Sequence, residues 1–207
     1  MDGLSLRRRI ALDIARSMRK SQEEEHPLRQ LFWECTLRCN LRCQHCGSDC
    51  KQVAATPDMP KEDFFKVLDS IVAKTDPHKV FVIISGGEPT MRADLEECGK
   101  GIYSRGFPWG MVTNGFGMTA ERFSRLLGAG LHSMTVSLDG LEENHDWLRG
   151  REGSFTRAAE TIRMAVRSGI AFDVVTCVNR RNYPQLPQLK EFLIGLGLKE
   201  WRLFSIF

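Results

Sequence analysis

The sequence predicts an α/β fold built on a parallel sheet. Two observations carry that reading. Six apolar, β-branched or aromatic segments alternate with five amphipathic helical patterns, each strand–helix unit about 30 residues long. Residues 79–84 (Lys-Val-Phe-Val-Ile-Ile) run apolar without alternation after Lys79, as strands buried on both faces do. Right-handed crossovers curl such a series towards a barrel. Periodicity alone does not separate a flat doubly wound sheet from a partial barrel.

The elements follow in order. Residues 4–20 place Leu6, Ile10, Ile14 and Met18 at four-residue spacing, with Arg and Lys on the other faces. That predicts an added N-terminal amphipathic helix packed onto the domain; a membrane-surface helix is the alternative. The acidic run Glu23–Glu25 reads as a solvated helix end or linker. Pro27 closes this segment before a first strand at 31–33. After Pro60, residues 61–74 set Phe64, Val67, Leu68, Ile71 and Val72 on one helical face, and strand 79–84 follows. Leu95, Cys98, Ile102 and Tyr103 mark a helix closed by Gly106, before strand 109–113. Thr119 caps a helix bearing Phe123, Leu126 and Leu127, before strand 132–138. Phe155, Ala159, Ile162 and Val166 form a helix ending at Gly169, before strand 172–178. Leu186, Leu189, Phe192, Leu193 and Leu196 form the last helix, stopped by Gly197, and 201–207 is the last strand. Residues 1–29 are thus a helix and linker, and 30–207 one core domain.

Composition narrows the class. The 207 residues are ample for a sizeable core, and fractions of 42% hydrophobic and 27% charged fit a soluble globular chain. A net charge of +3 is too small to argue for a nucleic-acid partner on its own, and none is expected; no apolar run approaches the roughly 20 residues of a membrane span. Arg7, Arg8 and Arg9 are not followed by the apolar region of a signal peptide. Seven cysteines, an odd number, suit a reducing cytoplasm better than a disulfide framework.

Cys39, Cys43 and Cys46 stand in C-x3-C-x2-C spacing directly after the first strand, where open α/β folds keep their chemistry. Three thiolates this close can face one inorganic centre. An iron–sulfur cube fully held by protein takes four ligands, so three leave one iron open. Zinc usually draws four ligands from two knuckles, and only Cys43 and Cys46 form such a pair. A competing register, Cys35-x3-Cys39-x3-Cys43, lacks the x2 step. Cys35 and Cys50 read as core or supporting residues, with reactivity near the centre as the alternative.

The C-x3-C-x2-C run, with His45 before its last cysteine, resembles the radical S-adenosylmethionine (SAM) enzymes. The resemblance implies a (β/α)6 partial TIM barrel and a [4Fe–4S] cluster on Cys39, Cys43 and Cys46. It also implies SAM chelated to the open iron and cleaved reductively to a 5′-deoxyadenosyl radical that takes hydrogen from substrate. Other motifs sit at the strand ends. Ser85-Gly86-Gly87-Glu88-Pro89 could equally be a Gly-Gly turn with a solvated Glu. It is similar to the family motif that holds the SAM amino group, which assigns Gly86, Gly87 and Glu88. Thr113-Asn114-Gly115 is also an ordinary turn signal; in similar enzymes it lines the site, which carries over Asn114. Ser137-Leu138-Asp139-Gly140 followed by His145-Asp146-Trp147-Leu148-Arg149-Gly150 resembles the run in which Ser and Arg contact SAM. That assigns Ser137 and Arg149; Asp139 shapes the turn, and His145 and Asp146 cap or position the loop. The strand 174–179 would offer backbone groups to adenine, and Cys98 and Cys177 read as small core residues. Arg38 and Arg42 flank the cysteines, either offsetting cluster charge or facing solvent. Asn182 reads as lying away from the strand ends. No catalytic residue beyond the cofactor site is assigned.

The detail is similar to the branch carrying SPASM or twitch C-terminal domains, including peptide maturases and sulfatase-maturing enzymes. This implies a peptide or protein substrate, with a cofactor or haem-synthesis step as the alternative, and an electron donor such as flavodoxin or ferredoxin. The contrasting class is a non-enzymatic electron-transfer or metal-binding module, which would need neither the Gly-Gly-Glu-Pro nor the Ser/Arg motif. The sequence stops inside an apolar strand at Phe207, with no cysteine after Cys177. It therefore reads as the core of a longer protein whose auxiliary-cluster domain lies outside it, and which alone would modify substrate poorly.

Overall fold

The computed structural model describes residues 5–48 and 50–205, with residues 22 and 24 described through their backbone alone. The elements are α1 (Leu6–Glu25), β1 (Gln30–Thr36), α2 (Lys61–Val72), β2 (Phe81–Gly86), α3 (Leu95–Tyr103), β3 (Trp109–Thr113), α4 (Ala120–Gly128), β4 (Leu131–Ser137), α5 (Glu142–Arg149), α6 (Ser154–Ser168), β5 (Ala171–Val178), α7 (Leu186–Gly195) and β6 (Trp201–Ser205). The six strands lie in one sheet in sequence order, and every pairing is parallel. Among the described residues no pairing joins β6 back to β1, so the sheet is an open, partial barrel.

The strands alternate into the core: Trp33 and Cys35 from β1, Val82 and Ile84 from β2, Met134 and Val136 from β4 are buried. The helices close over them. Trp33 stacks on Phe64 of α2 at 3.9 Å between ring centroids. Fully buried Trp109 lies under α3 and donates its indole N–H to Ala129 O at 3.2 Å. A side chain on Gly99 would place its Cβ 2.3 Å from that indole, so α3 can pack there only through a glycine. Thr119 caps α4 as expected, its Oγ1 accepting from Arg122 N at 3.1 Å.

Three expectations change. First, α1 runs on to Glu25 and does not pack onto the domain: Leu6, Ile10, Ile14 and Met18 are 73%, 51%, 56% and 58% exposed. Their four-residue spacing makes an apolar file flanked by charged neighbours, narrower than the stripe of a core-facing helix. Second, β1 reaches Thr36, which turns Cys35 into the core. Third, 142–149 is a helix, α5, rather than loop; Gly150 ends it in the left-handed region at φ 65°. The last two residues of the expected final strand, 206 and 207, lie outside the described residues.

Candidate functional site

The C-terminal ends of β1 to β4 meet in one cavity. Cys39, Cys43, His45, Cys46 and Cys50 line it from the loop after β1, and Ser85, Gly86 and Gly87 from the end of β2. Val112, Thr113, Asn114, Ser137 and Arg149 complete the wall. Eight of the nine residues expected at the site are there together: the three cysteines, Gly86, Gly87, Asn114, Ser137 and Arg149. Glu88 is not.

The cysteine loop is held by backbone bonds to elements far off in sequence. Gly87 N and Glu88 N donate to Thr36 O and Arg38 O at 2.7 and 2.9 Å. Arg42 N and Gln44 N donate to Arg149 O and Leu148 O, the last carbonyls of α5, at 3.2 and 2.9 Å. An added Cβ on Gly87 would fall 2.2 Å from Arg38 O, so this backbone crossing requires glycine. The short α5, unpromising as an isolated helix, thus ends with its carbonyls satisfied by the ligand loop.

Glu88 lies beneath the cavity floor and is almost fully buried. Its carboxylate accepts from Thr90 N (3.1 Å), Thr90 Oγ1 (2.8 Å), Thr113 Oγ1 (2.8 Å) and Asn114 N (2.7 Å). It ties β2 to β3. Burial pushes its carboxyl pKa up, against the opposing pull of those donors.

On the other side, buried Arg149 pairs with fully buried Asp139, Nε to Oδ2 at 2.5 Å. Its Nη1 donates to Cys43 Sγ at 3.7 Å. Asp139 Oδ1 accepts from Cys177 N at 2.7 Å, and Asp139 N donates to His145 Nδ1 at 2.9 Å. His145 is therefore a neutral, buried ring: burial lowers its pKa to about 4. Asp146 caps α6, accepting from Gly153 N, Ser154 Oγ and Phe155 N, each at 2.7 Å. Asn182 is no bystander: buried, it donates to Asp139 O at 2.6 Å and Cys177 O at 2.9 Å, clamping β4 to β5.

The donor set can be tested against an inorganic centre. Tetrahedral zinc at about 2.3 Å from each sulfur would bring thiolates to roughly 3.8 Å from one another. Among the described residues, the only three metal-binding side chains with ligand atoms all within 4.8 Å are His45, Asp139 and Cys177, and Arg149 already neutralises that carboxylate. Cys39, Cys43 and Cys46 share a wall yet stand too far apart for a single ion, which fits a larger multinuclear centre. Burial raises the thiol pKa values of Cys39 and Cys43, so iron entering here displaces protons. In the same wall His45 Nδ1 is buried and finds no hydrogen-bond partner among the described residues, leaving a polar atom for a ligand.

The radical SAM superfamily model matches residues 33–193. The chain belongs to that superfamily. The cofactors of this chain are therefore a [4Fe–4S] cluster and SAM. The chain is 31% identical over 163 residues to Fe-coproporphyrin III synthase of Methanosarcina barkeri, covering 79% of this chain and 40% of that one. It is 28% identical over 173 residues to PqqA peptide cyclase of Methylocella silvestris, covering 82% and 45%. Among solved structures, Streptococcus suis SuiB bound to precursor peptide SuiA superposes with a TM-score of 0.73 at 18% identity, over 99% of this chain and 46% of that one. The chain spans about half the length of the curated relatives it matches.

In this radical SAM chain, two residues beside the motif positions take definite places. Cys50 lines the cavity beside the three motif cysteines, its thiol pushed up to about 11 chiefly by burial. Asp139 is an ion-pair partner rather than only a turn former. Of the flanking arginines, Arg38 is neutralised by Asp58 at 2.5 Å, while Arg42 lines a groove with Cys43, Cys46 and Cys50. Cys35 and Cys98 are core residues, and Cys177 is half-buried beside Asp139. Among the described residues no helix is long and apolar enough to cross a membrane.

Proposed function

We propose that Cys39, Cys43 and Cys46 hold the [4Fe–4S] cluster by three of its irons and leave the fourth for SAM. The observation that carries this reading is the three thiols on one cavity wall, spaced beyond the reach of a single ion. When bound, the cluster supplies the electron that splits SAM into methionine and a 5′-deoxyadenosyl radical able to abstract hydrogen. This chain's residues bind and orient. Gly86 and Gly87 expose backbone at the cavity, suited to the SAM ammonium, while Glu88 holds that backbone from below. Arg149 lines the cavity, and its Nη2 has no hydrogen bond among the described residues, which suits a carboxylate. Ser137 offers its hydroxyl to ribose, Asn114 lines the same wall, and the end of β5 offers backbone groups to adenine.

Residues 30–207 form the radical SAM core in this reading, with 1–29 an appended helix and linker. The substrate is a peptide, a reading supported by the PqqA peptide cyclase relative and by the fold shared with peptide-bound SuiB. The similarity to Fe-coproporphyrin III synthase favours a second reading, a step in haem synthesis. A flavodoxin- or ferredoxin-type carrier in the cytoplasm supplies electrons; the free cysteines support a reducing compartment. The test is anaerobic reconstitution followed by dithionite reduction with SAM. Formation of 5′-deoxyadenosine that requires all three motif cysteines supports the assignment; formation without any one of them removes it.

A further inference from the structure

Two of the three sulfurs at the site already face a fixed N–H donor. Asn114 Nδ2 lies 3.8 Å from Cys39 Sγ, and Arg149 Nη1 lies 3.7 Å from Cys43 Sγ. Both donors are more than nine-tenths buried.

Neither can swing away freely. Asn114 N donates to Glu88 Oε2 at 2.7 Å, and its Oδ1 accepts from Phe116 N at 2.9 Å. Its Nδ2 also donates to Asn40 Oδ1 at 2.8 Å. Turning the carboxamide over would set oxygen against oxygen at Asn40 and lose the acceptor for Phe116, so the N–H side stays towards Cys39. Arg149 is held through Nε by Asp139, which Cys177 N and the fold's interior fix in turn. Cys46, by contrast, is exposed.

We propose that Asn114 and Arg149 are positioning residues that set the cluster's reduction potential by donating hydrogen bonds to Cys39 and Cys43. This rests on the ligation proposed above. One-electron reduction adds negative charge that spreads onto the ligand sulfurs. A donor aimed at a ligand sulfur therefore stabilises the reduced state more than the oxidised one, and hydrogen bonds to the sulfurs are an established lever on such potentials. Burial strengthens the effect by excluding competing water. Because both donors are locked before any cofactor enters, the effect requires no rearrangement on reduction.

The experiment is a spectroelectrochemical titration of the anaerobically reconstituted full chain, without SAM, so that loss of a SAM contact cannot enter the result. The variants are Asn114→Ala, Asn114→Asp and Arg149→Gln. Asn114→Ala removes the donor without adding a charge, whereas Asn114→Asp keeps an acceptor for Phe116 N but also brings a carboxylate beside Cys39 and should lower the ratio further. The double variant Asp139→Asn/Arg149→Met covers the case in which Arg149→Gln fails to fold, since it leaves no charge buried alone. Iron and sulfide are counted in each. At a fixed applied potential, each lost donor should lower the reduced-to-oxidised ratio about tenfold, equal to 59 mV for a one-electron couple. Variants with a full cluster and ratios within twofold of the parent would overturn this inference while leaving the ligation intact. A cluster retained in Cys39→Ala or Cys43→Ala would remove the ligation reading and this inference with it.

Discussion

Nε of Arg149, at the end of α5, lies 2.5 Å from Oδ2 of Asp139, just beyond the end of β4. Both side chains are buried, and the pair reaches the cluster loop directly through the bond of Arg149 to Cys43. Removing one partner leaves a buried charge alone. Asp139→Ala should cost about 3–5 kcal/mol of unfolding free energy. Asp139→Asn/Arg149→Met should recover most of it, as urea unfolding would show.

Gly87 and Gly47 offer a paired test of the backbone crossing. A Cβ on Gly87 meets Arg38 O at 2.2 Å; one on Gly47 meets nothing within 4 Å. Gly87→Ala should lower iron incorporation several-fold while far-UV circular dichroism stays near the parent's. Gly47→Ala should load iron normally. Equal loading in both would show that the crossing is not needed to hold the cysteine loop.

His145 makes stability depend on pH. Its pKa is about 4 in the folded chain, below the ordinary histidine value near 6.5. Between those values the unfolded chain binds the extra proton, so stability falls as pH drops through that window. The loss from pH 7 to pH 5 should be about 2 kcal/mol. His145→Gln should show a shallower decline in urea midpoint over the same range.

Arg149→Ala should weaken SAM binding by about 1.5–3 kcal/mol, roughly 10–150-fold, for the loss of a charge-assisted partner. Glu88→Gln should act differently, because Glu88 does not line the cavity and all its donors are in the fold. An amide N–H2 facing those donors should lower stability first. Equilibrium dialysis with SAM beside thermal unfolding separates the two. A Glu88→Gln protein as stable as the parent but unable to bind SAM would place Glu88 in direct contact with the cofactor instead of beneath it.

Much of this was legible because it is local. Strand runs, the Thr119 cap and the glycine stops depend on neighbours a few residues apart, and the motif cysteines lie within eight residues. What stayed hidden depends on partners far away. Asn182 clamps Asp139 across 43 residues, and α5 is anchored by a loop more than 100 residues earlier. The exposure of α1 was hidden for the opposite reason: its periodicity is real, but nothing among the described residues buries its apolar file.

The most direct test of the central claim is the EPR spectrum of the dithionite-reduced, reconstituted chain recorded with and without SAM. Three-cysteine ligation with an open iron predicts one reduced [4Fe–4S] signal that changes when SAM is added, and that is absent from Cys39→Ala, Cys43→Ala and Cys46→Ala but present in Cys35→Ala and Cys50→Ala. A signal indifferent to SAM, or one lost with Cys50 and kept without Cys46, would contradict it.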